Sequence, residues 1–281
     1  MSSVPDSCRL APGLLITFLL FLSPPGQAQT DSLSDSSLGA RVGDDALTML
    51  RATGHTLSGP ARWEADDFLK AGGVVALTAG AALLDRDMRD LLHRNRSSFA
   101  DGLSDIAVHY GEGGPVIALM AGMYGVGLAF ENDWLRETAF LAGTAVVISA
   151  GLSTAGKFIV GRARPYAELG NHEFRPFSDS DEFHSFPSGH TIVAFALSAV
   201  LAERIKNSWA TVGLYTAAAA CAFSRMYEDQ HWLSDVVFSA AVSIAVAHSV
   251  VRWFEESFSP AGEAGLSVVP TGQGIAIVWR L

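Results

Sequence analysis

Lys157 and Arg164 stand seven residues apart in KFIVGRARP, Ser188, Gly189 and His190 are consecutive in FPSGHTIVAF, and Arg225, His231 and Asp235 lie within SRMYEDQHWLSD. Cations, small donor-bearing residues and a histidine four places before an aspartate are the ingredients of anion binding and of nucleophilic or acid–base chemistry. Each stretch interrupts an otherwise apolar helical pattern, so each is expected at a helix end.

On one continuous helix Lys157 and Arg164 would be two turns, roughly 10.5 Å, apart along one face. Pro165 biases Arg164 out of the helix and so marks its end, which lets two cations point past one terminus. The same pair would serve equally as a solvated cationic helix end meeting the dipole. Pro187, Ser188 and Gly189 precede an apolar helix that begins near His190, and the free N–H groups and positive dipole end there suit an anion. An ordinary Ser188 cap with His190 facing water explains that stretch as well. In the third, Arg225 ends one helix and His231 begins the next, and Asp235 can accept the proton of one imidazole nitrogen and leave the other nucleophilic. Taken alone, that pair is also a helix-start contact worth about 0.2–0.5 kcal/mol.

In order, Lys-x6-Arg-Pro, Pro-Ser-Gly-His and Ser-Arg-x5-His-x3-Asp resemble the signature of the type 2 phosphatidic acid phosphatase and vanadium haloperoxidase superfamily, over about Ala139 to Phe254. The resemblance implies an all-α bundle and a phosphoric ester hydrolase working through a phosphohistidine on a phosphomonoester or diphosphate, a lipid phosphate foremost. It implies that Lys157, Arg164 and Arg225 hold the phosphate oxygens and that Ser188 and the Gly189 amide add neutral donors. His231 would be the nucleophile, Asp235 its orienter, and His190 the acid that protonates the departing oxygen and later activates water. No metal or other cofactor is called for: His172, His184, His190, His231 and Asp235 lack a His-x3-His pair, and the cations nearby would repel a metal ion. The alternatives are a vanadate-dependent haloperoxidase, whose members are typically much longer, and a non-specific soluble periplasmic acid phosphatase. A non-catalytic phosphate- or lipid-binding protein would be favoured by loss of His190, His231 or Asp235, and all three are present.

Apolar segments at about Phe68–Leu84, Pro115–Phe130, Leu135–Gly161, His190–Ile205, Trp209–Arg225 and Trp232–Phe254 would position these residues, which predicts about six helices. Their uncharged runs are short against the ~17–25 residues that cross a bilayer and are rich in Ala and Gly, so buried and membrane bundles both fit. The loop YAELGNHEFRPFSDSDEFHS interleaves Phe174, Phe177, Phe183 and Phe186 with acids, as a lid over a lipid tail or as a surface loop pinned by aromatics.

Residues 1–28 read as a signal peptide: Arg9, an apolar stretch Leu14–Leu22, then a small-residue site ending at Ala28. An exported, envelope-located protein follows, periplasmic or membrane-associated. Residues 29–66 read as a polar, loosely packed arm with at most a short helix near Asp44–Arg51, residues 67–256 as the helical domain, and residues 257–281 as a tail carrying a β-hairpin about Pro-Thr-Gly-Gln-Gly. Cys8 leaves with the signal and Cys221 stands alone, so no intramolecular disulfide is expected. A formal net charge of -10 without a basic stripe excludes a nucleic-acid partner and requires that any anion site gather its cations locally.

Overall fold

The computed structural model describes residues 38–258, together with the backbone of 265–271 and 274–280. The expected signal peptide and the start of the arm lie outside the described residues. Nine α-helices run through the described residues: α1 (Leu38–Leu57), α2 (Ala65–Leu83), α3 (Asp85–Arg94), α4 (Ser98–Ala107), α5 (Gly113–Ala129), α6 (Asp133–Val160), α7 (Gly189–Ile205), α8 (Ser208–Tyr227) and α9 (Leu233–Phe258). Strands β1 (Gly265–Thr271) and β2 (Gly274–Arg280) form an antiparallel hairpin, with Gly265 opposite Arg280.

Helix α7 is the centre of the bundle and packs against α6, α8 and α9. Its residues Ile192, Ala194, Ala196, Leu197, Ala199, Val200 and Leu201 are all almost inaccessible, because a helix surrounded by partners must be apolar all round. Caps written in the sequence place the helix starts. The Asn132 side chain accepts the Leu135 amide proton to open α6, and the Asn207 side chain accepts those of Trp209 and Ala210 to open α8.

Six of the helices match the predicted apolar segments, and the other three correct the expected count. Helix α1 occupies the stretch read as a loose arm. Asp45, Thr48 and Ala52 form its buried stripe against α6 and α9, and the Tyr124 hydroxyl donates to Asp45 at 2.7 Å. Its buried seam is small and polar while Leu38, Leu47, Leu50 and Leu57 stay exposed, and its polar average composition is why the segment reads as a linker with at most a short helix. Helices α3 and α4 are short, α3 strongly charged, and both are held by contacts to residues distant in sequence.

Helices α6 and α9 are long and apolar enough to cross a membrane, and α2 with α3 passes the same test as a pair bent by 51°. Phe68, Leu69, Leu83, Phe130, Val147, Ile159 and Trp209 are all more than half exposed.

The bundle depends on its tightly filled seam along α6. Leu141→Ala, at a fully buried α6 position, is expected to lower stability by about 2–5 kcal/mol, read as a drop in unfolding midpoint in denaturant.

Candidate active site

Helix α6 stops where the chemistry begins. Gly161 adopts φ +59° and its N–H bonds back to the Lys157 carbonyl at 2.9 Å, the left-handed cap that glycine takes most cheaply. Lys157 therefore stays on the last turn, while Arg162 and Arg164 leave on an extended strand-like segment. Ala163 N donates to Glu173 O and Arg164 N to Glu182 O. The helix thus ends before Arg164, in the direction Pro165 implies, and the cap at Gly161 places the two cations on a helix end and on the extended segment after it rather than on one continuous face.

The Lys157 ammonium reaches the start of α7: a methyl group built on Gly189 would lie 3.6 Å from Lys157 Nζ. Gly156, one residue earlier, allows this approach, since a Cβ there would sit 2.7 Å from Pro187 Cδ. Ser188 occupies the N-cap of α7 without spending its hydroxyl on capping. It is buried, and it accepts a hydrogen bond from Thr191 Oγ1 at 2.9 Å. Its own N–H donates to Ser239 Oγ at 2.8 Å, so the neutral donors left at the helix start are its hydroxyl and the Gly189 amide.

Among the described residues neither Lys157 nor Arg225 has a carboxylate partner. Arg164 is paired, through Nη2 to the exposed Asp181 at 2.8 Å and through Nη1 to Gln230, while its buried Nε has no partner. Lys157 and Arg164 both act electrostatically on His231, and Arg225 and Lys157 on His190. The three cations and two histidines named from sequence are therefore brought together at one end of the bundle.

His231 is buried on the turn between α8 and α9, and its Nδ1 lies 2.6 Å from the Ser185 carbonyl. A carbonyl can only accept, so Nδ1 carries the hydrogen and Nε2 keeps a free lone pair. This corrects the expected Asp235 contact. The carboxylate stands 3.9 Å from Nδ1, and its Oδ2 accepts instead from Ser185 Oγ and the Trp232 amide. The backbone of Ser185 orients the imidazole, and Asp235 acts on it through its charge and by holding Ser185.

Asp235 Oδ1 accepts from Arg162 Nη1, and the same guanidinium reaches Asp85 Oδ2 at 2.6 Å, Ser234 Oγ at 2.7 Å and the Asn171 carbonyl. Sequence reasoning missed this cluster. Arg162 lay in plain view inside KFIVGRARP, but nothing in the sequence announces Asp85.

Burial and the Arg225 charge push the His190 imidazole down to about 4. His231 is lowered as well, first by burial and with Asp235 opposing the fall. Both rings thus favour the neutral form, which can act as nucleophile or base.

Residues 138–259 match the family model of the PAP2 superfamily. That segment holds every site residue named from the sequence. Among curated relatives, lipid A 1-phosphatase of Porphyromonas gingivalis is 28% identical over 167 residues, covering 58% of this chain and 33% of the relative. Lipid A 1-phosphatase of Rhizobium etli is 35% identical over 118 residues, covering 40% and 47%. The chain thus spans between a third and a half of the length of these relatives. Among solved structures, Aquifex aeolicus LpxE superposes with a TM-score of 0.49 at 20% identity, over 60% of this chain and 95% of that one. The first transmembrane PAP2 type phosphatidylglycerolphosphate phosphatase from Bacillus subtilis gives 0.49 at 18%, over 68% and 98%.

Two outcomes follow from this geometry. Gly156→Ala must push Pro187 and the start of α7 away from Lys157, so we expect phosphate or vanadate affinity, measured by calorimetry, to fall at least about tenfold. His190 should titrate well below the ordinary histidine range in the free protein. Its midpoint should rise when phosphate neutralises the cations around it; a midpoint near the ordinary value and indifferent to phosphate, seen by NMR, would contradict this reading.

Proposed function

We propose that this chain is a phosphatase that removes a phosphate group from a lipid at a membrane surface through a phosphohistidine. The observation that carries the reading is His231, with Nδ1–H fixed on the Ser185 carbonyl and Nε2 free, beside Lys157, Arg164 and Arg225 at the start of α7.

In the first step His231 Nε2 attacks phosphorus as the bond to the leaving oxygen breaks. Lys157, Arg164, Arg225, Ser188 and the Gly189 amide hold the phosphoryl oxygens, whose charge a preorganised donor set stabilises. Burial and the Arg225 charge keep His190 neutral; a bound phosphate offsets the cationic part, so His190 gains a proton in the complex and delivers it to the leaving oxygen. In the second step His190 takes a proton from water as water attacks phosphorus. The P–N bond then breaks and inorganic phosphate leaves.

A lipid substrate is supported by three observations. Relatives over this region are named lipid A 1-phosphatases. Large apolar side chains lie exposed on α2, α6 and α8, which suits a bilayer better than water. An apolar cavity of about 350 Å³, lined by Val75, Ala79, Val160, Phe174, Phe186 and Phe238, adjoins the site through Phe186. The soluble acid phosphatase and the haloperoxidase readings draw no such support.

Separable losses test the roles. His231→Ala should abolish turnover on every phosphate ester together with the acid-quenched phosphoenzyme. His190→Ala should cost about 10²–10⁴-fold on alkyl and lipid phosphates and far less on p-nitrophenyl phosphate, whose leaving group needs no proton. Asp235→Asn should fall between them. A phosphoenzyme in His231→Ala, or equal losses on both ester types in His190→Ala, would overturn the assignment. Higher kcat/KM for p-nitrophenyl phosphate than for lipid A or phosphatidate in mixed micelles would overturn the lipid reading.

A further inference from the structure

Asp85 opens α3, lies outside residues 138–259 and is distant in sequence from all three motif stretches, yet its carboxylate is fully buried. Oδ1 accepts the Ser234 amide proton at 2.9 Å, and Oδ2 accepts Ser234 Oγ at 2.9 Å and Arg162 Nη2 at 2.6 Å. Ser234 is the second residue of α9, so Asp85 supplies from another helix an acceptor for one N-terminal amide of α9, next to the Trp232 amide that Asp235 accepts locally. The other branch of Arg162, Nη1, donates to Asp235.

We propose that Asp85 is a positioning residue of the active site: through Arg162 and the Ser234 amide it holds Asp235, and with it Ser185 and His231, in the geometry that attack on phosphorus requires. The kinetic half of this inference rests on the phosphatase reading, and the structural half rests on the contacts alone.

An ion pair placed only for stability would leave the histidine indifferent, whereas this one shares its cation. Arg162 lies between two carboxylates, and neutralising Asp85 leaves the whole guanidinium charge to Asp235. The groups facing His231 are Asp235 from α9, Lys157 from α6, Arg164 from the segment after α6, His190 from α7 and, beyond His190, Arg225 from α8. Of these, Asp235 favours a protonated or phosphorylated imidazole and the cations oppose it. With Asp235 more fully neutralised, the charge that His231 acquires in the transition state is less well stabilised, and the free ring is protonated only at lower pH.

The experiment compares wild type, Asp85→Asn and Asp85→Glu, with Asp45→Asn as the control. Asp45 is also buried and pairs with Arg136 at 3.4 Å, at the opposite end of α6 from Lys157. For each protein kcat and KM are measured across pH on p-nitrophenyl phosphate, with thermal unfolding and an NMR titration of the His231 ring. Asp85→Asn should lower kcat about 10- to 100-fold with KM changed less than about threefold. It should also move both the acidic limb of the rate profile and the His231 midpoint to lower pH. Asp85→Glu, which keeps the charge, should retain the wild-type midpoint. Asp45→Asn should lose thermal stability and keep kcat per folded molecule. Asp85→Ser, which still caps the Ser234 amide, replaces Asp85→Asn if that variant does not fold. The proposal is overturned if the neutral Asp85 variant behaves as Asp45→Asn does, with unchanged kcat and an unchanged His231 midpoint. If wild type hydrolyses no phosphate ester, the functional reading falls by itself, and the His231 midpoint in the Asp85 variants still decides this one.

Discussion

A single buried guanidinium, Arg162, connects the parts of this protein that must agree for the site to exist. Its Nε and Nη2 donate to the Asn171 carbonyl, Nη2 also to Asp85, and Nη1 to Ser234 and Asp235, so all five N–H groups find acceptors. That completeness matters, because an ion removed from water is tolerated only when its hydrogen-bonding capacity is met. The contacts join the break between α2 and α3, the extended segment after α6, the loop before α7 and the first turn of α9. Loss of one partner would leave a charge uncompensated in the interior.

Around this closed cluster the remaining cations are left open. Lys157 and Arg225 have no acidic partner among the described residues, and Arg164 leans on the exposed Asp181. In a chain of net charge -10 this is a local inversion of the average, of the kind an anion site requires. Burial, together with the same cations, favours the neutral form of His190 and His231. The two clusters divide the work: one fixes positions through saturated contacts, and the other leaves Lys157 and Arg225 without an acidic partner among the described residues.

The bundle explains why both clusters lie at one end. Helix α7 is buried on every side and presents its N-terminus to Lys157, while α6 ends at Gly161 and α9 begins at Leu233 beside it. Helix termini carry unsatisfied donors and a dipole, so gathering them concentrates polarity without breaking the apolar interior. Exposed apolar side chains run along the helices and reach this polar end at Leu83 and Ile159.

Much of the site was legible because each motif stretch is continuous in sequence and sits where a helical pattern breaks. Six helices could likewise be read from apolar runs that match their length. Helix α1 could be read only as a short helix near Asp44–Arg51, because its buried seam of Asp45, Thr48 and Ala52 is small and polar, and α3 could not be read, because its charges look like those of a loop. Tertiary structure alone decided that Asp85 meets Arg162 and that a backbone carbonyl at Ser185, rather than Asp235, accepts the hydrogen bond from His231 Nδ1. The physical reason is the same in each case. Side-chain identity and spacing determine what a helix end can offer, whereas a carbonyl is present at every position and an ion pair between distant segments has no local pattern, so only the packing of the chain selects among them.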